Sequence, residues 1–265
     1  MSGNHSRAAR AADLIWSHWQ RGEALAGLPA DIRPETRADG YAAQAALESH
    51  SKFPVFGWKI AATSSIGQTH IGVPGPIAGR LFKERAYDDG AELPIAGSRM
   101  RVAEPEYAFR MARDLSPRAG AYTVDEVMAA AGTLHPAIEV PDSRFVEFAR
   151  AGEAQLLADN ACTHQVVIGR ATEADWRSVD LSRHQAKASV VGKLERDGIG
   201  SNVLGDPRLA LTWLANELSG LGVTLAAGQV VITGTCAPPL AFGPGDRLHM
   251  DFGAFGTVGA TISAD

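Results

Sequence analysis

Three glutamates between Arg101 and Arg144 have the spacing to do chemistry together, namely Glu104, Glu106 and Glu139. In an extended chain, residues two apart point to the same face with Cα atoms roughly 6–7 Å apart, so Glu104 and Glu106 can converge on one ion. Glu139 interrupts an apolar run, where a lone carboxylate is costly unless it is paired or coordinates a metal. Carboxylate ligands suit Mg²⁺, Mn²⁺ or Ca²⁺ rather than zinc. We therefore predict one divalent-metal site; the alternative for the Glu-x-Glu pair is a solvated strand face.

Two further features bear on how this site is built. Pro105 has no N–H to donate, which predicts an edge strand, a strand start or a bulge between the two glutamates. The run Val55–Ala62 is typical of a buried strand and carries one charge, Lys59. Lys59 could extend to the surface or pair with a structural acid. Close to the glutamates and a metal ion, its neutral form would be favoured, and it could transfer protons near neutral pH.

Composition excludes several classes of protein. The 265 residues suit one large domain, or a small domain plus a larger one. A net charge of −5 argues against nucleic-acid binding. The two cysteines fit a reducing compartment, and the N-terminal residues 1–10 lack the apolar core of a signal peptide. No run reaches the roughly 20 apolar residues of a membrane span. We expect a cytoplasmic protein.

Periodicity and capping signals predict helices separated from a strand-rich body by glycine and proline turns. Asp197-Gly198 is a hairpin-turn signal. The segment Gly72–Gly79 is rich in glycine and proline, which predicts a loop and a domain boundary. The predicted helices are 6–21, Thr36 to about His50, one capped by Thr123 with Glu126, and 206–220; the predicted late strands are 230–234, 248–252 and 258–262.

Six motifs in order resemble those of the fumarylacetoacetate hydrolase superfamily. The likeness runs from about Arg37 to the end of the chain, and within the superfamily it is greatest to the 2-keto-4-pentenoate hydratases and their 4-oxalocrotonate decarboxylase relatives. Each motif is weak alone, and the six in order are specific. They are Gly57–Ser64, Glu104–Glu106, Ala137–Arg144, Asp159–Ala161, Leu204–Asn216 and Gly228–Gly234.

The resemblance implies an α+β fold, with a small N-terminal α/β region (1–75) followed by a mixed β-sandwich roll (76–265) that holds the catalytic site. It also implies that Mg²⁺ or Mn²⁺ binds to Glu104, Glu106 and Glu139, and that Lys59 is the active-site lysine. The residues it places in substrate binding are Asp159, Asn160, Thr233 and Gly234. Asp159-Asn160 alone could equally be a turn.

One departure from the family pattern concerns the segment after the lysine strand. Related hydratases carry an aspartate there, thought to assist proton transfer, whereas this chain has Ile77. His70, in the same segment, is another candidate for that role. The His-x-x-Glu pair that hydrolases of the superfamily use to activate water has no clear counterpart. Lyase chemistry is therefore favoured over hydrolysis.

The resulting hypothesis is a Mg²⁺- or Mn²⁺-dependent hydro-lyase of aromatic meta-cleavage catabolism, acting on a small anionic 2-oxo or 2-hydroxydienoic acid. The first interpretation is a 2-keto-4-pentenoate hydratase, and the alternative is a 4-oxalocrotonate-type decarboxylase. The metal ligands do not distinguish the two, because one metal ion can act as the Lewis acid for both reactions. We expect a homo-oligomer with neither nucleic-acid nor membrane partners. An interpretation from a different functional class is a metal-binding scaffold protein that has lost catalytic activity.

Overall fold

This computed structural model describes residues 6–264, which contain six α-helices and thirteen strands. The helices are α1 (Arg7–Arg21), α2 (Arg37–Ala46), α3 (Ser65–Ile71), α4 (Val124–Ala130), α5 (Glu153–Ala158) and α6 (Pro207–Gly220). The strands are β1 (Gly57–Ala61), β2 (Ile77–Leu81), β3 (Ala86–Asp88), β4 (Glu92–Leu93), β5 (Val102–Met111), β6 (Ala131–Val140), β7 (Gln165–Ile168), β8 (Gln185–Val190), β9 (Leu194–Ile199), β10 (Val230–Thr235), β11 (Leu240–Ala241), β12 (Arg247–Asp251) and β13 (Thr257–Ile262).

The helix starts follow from side-chain caps visible in the sequence. Thr36 and Asp39 form a reciprocal capping box at α2. The oxygen of Asp206 accepts from the Arg208 N–H, and Pro207, which needs no partner for its nitrogen, occupies the first turn of α6. These ends lie where the sequence predicts them because capping is a local interaction.

The strands form two mixed sheets. The larger has the order β2-β1-β10-β5-β6-β7-β3, with β11 paired to β5, and the smaller has the order β4-β13-β12-β8-β9. Six strand spacings in a flat sheet would separate β2 from β3 by roughly 29 Å. The link from Leu81 to Ala86 can span only about 18 Å. The large sheet must therefore curl. This confirms the predicted mixed helix and sheet architecture in its coarse form.

Apolar side chains fill both faces of the large sheet. The concave face is packed with Leu81, Ala108, Ala137, Val166, Ile168, Val230 and Ile232. Helices α1 and α2 pack over a separate cluster that includes Phe82 and Phe145, and β1 lies between β2 and β10. Contacts therefore cross residue 75, and the division into 1–75 and 76–265 stays a prediction. Within residues 6–264, no helix is both long enough and apolar enough to span a membrane.

Two local predictions were wrong. The segment Gly72–Gly79 is not all loop, because β2 begins at Ile77 and pairs with β1. The β8–β9 hairpin turns at Gly192, which has a φ of 76°, and not at Asp197-Gly198, which lies inside β9. Gly198 instead lies close to another segment: a Cβ there would be 3.0 Å from the Cys236 carbonyl oxygen, which leaves little room for a side chain.

Pro105 lies in the middle of β5 rather than at an edge or a strand start. Its carbonyl accepts from the Cys236 N–H at 2.9 Å, so its missing N–H faces the same side. On that side the partner of β5 changes from β10 to β11, and the pairing register shifts between Ile232 and Thr235. The lost ladder bond falls at this irregularity, which is how a long interior strand tolerates the proline.

Candidate active site

The three glutamates converge across the β5–β6 ladder. Glu104 lies directly opposite Glu139, and Glu106 is two residues further along β5 on the same face. One carboxylate oxygen from each lies within 4.8 Å of the others. Glu106 and Glu139 are fully buried, whereas Glu104 is partly exposed. Most of the cluster is therefore shielded from solvent.

The contacts of these carboxylates fit a cation. Oε2 of Glu106 accepts from the Gly234 N–H at 2.6 Å, but Oε1 is buried and has no hydrogen-bond partner in the described part of the chain. Burial and the charge of Glu139 raise the pKa of Glu104 to about 7 and the pKa of Glu106 well above its usual range. A divalent ion would supply the missing partner and stabilise the ionised carboxylates, and all-oxygen donors suit Mg²⁺, Mn²⁺ or Ca²⁺.

Lys59 reaches the same cluster from β1. It lies opposite Ile232 of β10, which lies opposite Ala108 of β5, so Lys59 shares the concave face. Its Nζ is 3.0 Å from Glu139 Oε1 and donates to the Ala161 carbonyl at 3.0 Å. Burial lowers the pKa of Lys59, but the nearby glutamates outweigh it, so that the pKa is raised. The sequence-based expectation of a neutral lysine assumed a metal ion, and these carboxylates instead favour the charged form.

The Ala161 carbonyl is held in place by an unusual turn. Residues Asn160, Ala161 and Cys162 have φ values of 57°, 53° and 59°, which is the left-handed region that L-residues rarely adopt in succession. The Asn160 side chain accepts from the Arg80 N–H at 2.7 Å and donates to the Arg80 carbonyl at 2.8 Å, which ties the turn to β2. The strain at this site is thus stabilised by its surroundings.

Gly79 allows this turn to pack against β2. A Cβ at Gly79 would overlap Thr163 Oγ1 and come within 2.5 Å of the Asn160 carbonyl oxygen. It would also lie 3.0 Å from Cγ of Lys59, the residue directly opposite in β1. Only glycine fits between the lysine and the turn.

Asp159 and Arg144 form a buried ion pair behind the turn. The guanidinium of Arg144 donates to the Asp159 carboxylate, and the Ser143 hydroxyl donates to it at 2.6 Å. Asp159 and Asn160 are both fully buried. Their polar atoms are occupied by protein partners, so we propose that they position the turn rather than contact the substrate.

Replacing Asp159 with Asn should lower the free energy of unfolding by about 3–5 kcal/mol, because the buried guanidinium of Arg144 loses its counter-charge. Urea denaturation monitored by circular dichroism measures this. The matched control is Glu126→Gln, which breaks the exposed pair with Arg118 and should have a much smaller effect. Equal losses in the two variants would contradict a structural role for the buried pair.

Thr233 and Gly234 lie at the end of β10, beside the glutamates. The Thr233 hydroxyl donates to the Tyr107 carbonyl at 3.0 Å, and the Gly234 N–H donates to Glu106. Gly234 has a φ of 105°, and a Cβ there would overlap the side chain of Thr63. These donors orient β5 and Glu106, and neither is left free for a substrate carboxylate. We propose that both residues belong to the site because they position Glu106.

Ile77 lies on the same face as Lys59. In the β1–β2 ladder Ile77 is opposite Ala61, as Gly79 is opposite Lys59, and the Ile77 side chain is fully buried. Ile77 therefore places an apolar side chain, and no carboxylate, on the face that carries Lys59. His70 lies on α3 with its ring 5.7 Å from that of Phe148.

The site thus lies on the concave face of a curled mixed sheet, where three carboxylates and one lysine form a candidate metal site. The chain belongs to the fumarylacetoacetate hydrolase family, since the family model described as the fumarylacetoacetate (FAA) hydrolase C-terminal matches residues 34–263. The family predicted from the six motifs is confirmed.

Several characterised proteins are similar to this chain. A 2-hydroxyhexa-2,4-dienoate hydratase of Comamonas testosteroni is 35% identical over 205 residues, covering 77% of this chain and 76% of the relative. A 2-keto-4-pentenoate hydratase of Paraburkholderia xenovorans is 30% identical over 252 residues, covering 94% and 92%. The structure of 4-oxalocrotonate decarboxylase from Pseudomonas putida G7, complexed with magnesium and adipate, aligns with a TM-score of 0.87 at 25% identity over 97% of each chain.

Proposed function

We propose that this protein is a Mg²⁺- or Mn²⁺-dependent hydro-lyase that adds water to a short 2-hydroxydienoic acid such as 2-hydroxypenta-2,4-dienoate. The observation that carries the proposal is the cluster of Glu104, Glu106 and Glu139. Within residues 6–264 a buried oxygen of Glu106 lacks a hydrogen-bond partner, and Lys59 lies against Glu139. The names of the two hydratase relatives support this substrate class.

The three glutamates are the residues that would hold the ion. When bound, a divalent ion would act as a Lewis acid toward the 2-oxygen of the substrate. Lys59 Nζ is the proton carrier in this site, because it is buried, charged and held between Glu139 and the Ala161 carbonyl. It can donate a proton to the substrate and recover one afterwards without leaving its place. The Gly234 N–H fixes Glu106 while this occurs.

The test is the loss of the ultraviolet absorbance of 2-hydroxypenta-2,4-dienoate, measured with the purified protein and saturating Mg²⁺, with a chelated sample as control. Metal-dependent turnover supports the hydro-lyase. Metal-dependent thermal stabilisation without turnover of a dienoate or of 4-oxalocrotonate would instead favour the scaffold that has lost turnover. We retain the homo-oligomer as a prediction.

A decarboxylase acting on a 4-oxalocrotonate-type acid is the second candidate. It is favoured by Ile77, which offers no proton carrier and orders no water, and by the likeness to the decarboxylase structure. Release of CO₂ has less need of a positioned water than hydration does. Parallel assays on both substrates distinguish the two.

Ile77→Asp should raise the rate of hydration, because it places a carboxylate on the face that carries Lys59. The measurement is steady-state kinetics of wild type and variant on both substrate types with saturating Mg²⁺. Ile77→Asn is the matched control, since it adds polarity without a carboxylate. Efficient hydration by wild type that the aspartate leaves unchanged or reduces would show that another group, such as His70, carries the role.

A further inference from the structure

A cavity of about 260 Å³ lies beside the C-terminal end of α1. Its wall includes Trp19, Arg85, Asp142, Arg144 and His164. None of the glutamates of the candidate active site lines it, nor does Lys59. The proposed hydro-lyase activity assigns no role to this cavity.

His164 lines this cavity, and one of its ring donors is buried beneath the wall. The indole N–H of Trp19 can only donate, and it lies 2.8 Å from His164 Nδ1, so Nδ1 must be the unprotonated acceptor. In the neutral ring the proton is therefore on Nε2. Burial, with the charges of Arg85 and Arg144, holds the pKa of His164 well below its usual value, which keeps the ring neutral. Nε2 is buried without a partner among residues 6–264, and His164 is only 5% exposed.

Arg85 provides an uncommitted cation at the same place. Among residues 6–264, its guanidinium has no hydrogen bond or ion pair. The Glu84 and Asp142 carboxylates act on it only through longer-range attraction, and its Cζ lies 5.4 Å from the centre of the Trp19 ring. The neighbouring Arg144 lies over the same ring at 4.6 Å, but its N–H groups are committed to Asp159, Asp142 and Thr163. Free donors therefore come from Arg85 and His164.

The acidic groups in the wall have partners of their own. Asp142 Oδ1 accepts from the backbone N–H groups of Arg99 and Met100 at 3.0 and 2.9 Å. Glu23 pairs with Arg21 at 2.8 Å. Neither carboxylate pairs with Arg85 in the part of the chain that the structure describes.

We propose that this cavity is a binding site for a small oxyanion, held by the Nε2–H of His164 and the guanidinium of Arg85 above the Trp19 ring. Oxyanions accept several such charge-assisted bonds at once, which satisfies a buried donor that would otherwise be costly. The oxygens could belong to inorganic phosphate or to the carboxylate of an organic acid. Both present the same chemistry to these two residues.

The test is isothermal titration of inorganic phosphate, and separately of acetate, into wild type, Arg85→Gln and the control Arg247→Gln, which removes an exposed arginine of β12. We expect wild type and the control to bind, and Arg85→Gln to bind at least about tenfold more weakly. Binding of phosphate alone, or of acetate alone, supports the site and identifies which source fits it.

The same titrations in Glu106→Gln separate this site from the proposed metal site. If the Glu106→Gln variant still binds the anion, and the double variant with Arg85→Gln does not, the anion site in this cavity is supported. That result does not depend on whether the protein is a hydro-lyase. If Arg85→Gln does not fold, the wild-type protein still tests the proposal, because a bound anion must shift the NMR signal of the His164 Nε2 proton. The proposal is overturned if that signal does not shift, or if wild type and a folded Arg85→Gln bind the anion equally well; the cavity would then hold only water.

Discussion

Replacing Glu106 with glutamine is expected to abolish turnover and weaken divalent-ion binding while leaving the fold intact. Glutamine keeps the size of the side chain but removes one of three anionic ligands. Activity assays with and without Mg²⁺, and Mg²⁺ titration, measure the loss. Glu195→Gln, which changes an exposed glutamate of β9, is the control and should behave as wild type. Activity in Glu106→Gln that needs no added or copurified metal would refute the metal site.

The stability of the same variant tests the site independently of turnover. Burial raises the pKa of Glu104 to about 7 from 4.5, so the metal-free folded protein holds protons that the unfolded chain has already released. Its stability therefore falls as pH rises through that interval, and a bound ion offsets the loss. We expect Mg²⁺ to raise Tm more above pH 7 than below it, and Glu106→Gln without metal to be at least as stable as wild type there.

Replacing Lys59 with methionine should lower the rate by about 100-fold or more, the usual scale for a general acid–base group. Methionine keeps most of the apolar stem but carries no proton. Metal affinity should hold or rise, because Nζ competes with the ion for Glu139 Oε1, 3.0 Å away. Steady-state kinetics and Mg²⁺ titration give the two values, with Lys187→Met, an exposed lysine of β8, as control. A fully active variant, or an unfolded one, would make Lys59 structural.

The residues of the proposed site could be found from sequence because their spacing matches strand geometry. Glu104 and Glu106 are two apart in β5, and an isolated charge marks Glu139 in β6 and Lys59 in β1. The caps at Thr36 and Asp206 were equally readable, since a cap depends on neighbours within one helical turn. These features are local in the chain or depend on one simple period.

The remaining features depend on partners distant in the chain. No local signal shows that the Asp197-Gly198 pair lies inside a strand, because the residue that approaches Gly198 closely, Cys236, is distant in the sequence. Pro105 is tolerated because the pairing partner of β5 changes from β10 to β11 beside it. The Ala161 carbonyl has no side-chain signature at all, and the donor left on His164 follows from its bond to Trp19.

The left-handed turn at 160–162 has a consequence for how the sequence of this region can vary. Three L-residues in that conformation cost about 1–2 kcal/mol each in isolation, so the turn is specified by the contacts around it and not by its own residues. Gly79 leaves room for it, and Asn160 fastens it to Arg80. Substitutions at these positions are therefore epistatic: a side chain at residue 79 becomes acceptable only after the turn, and with it the support of Lys59, has been rebuilt.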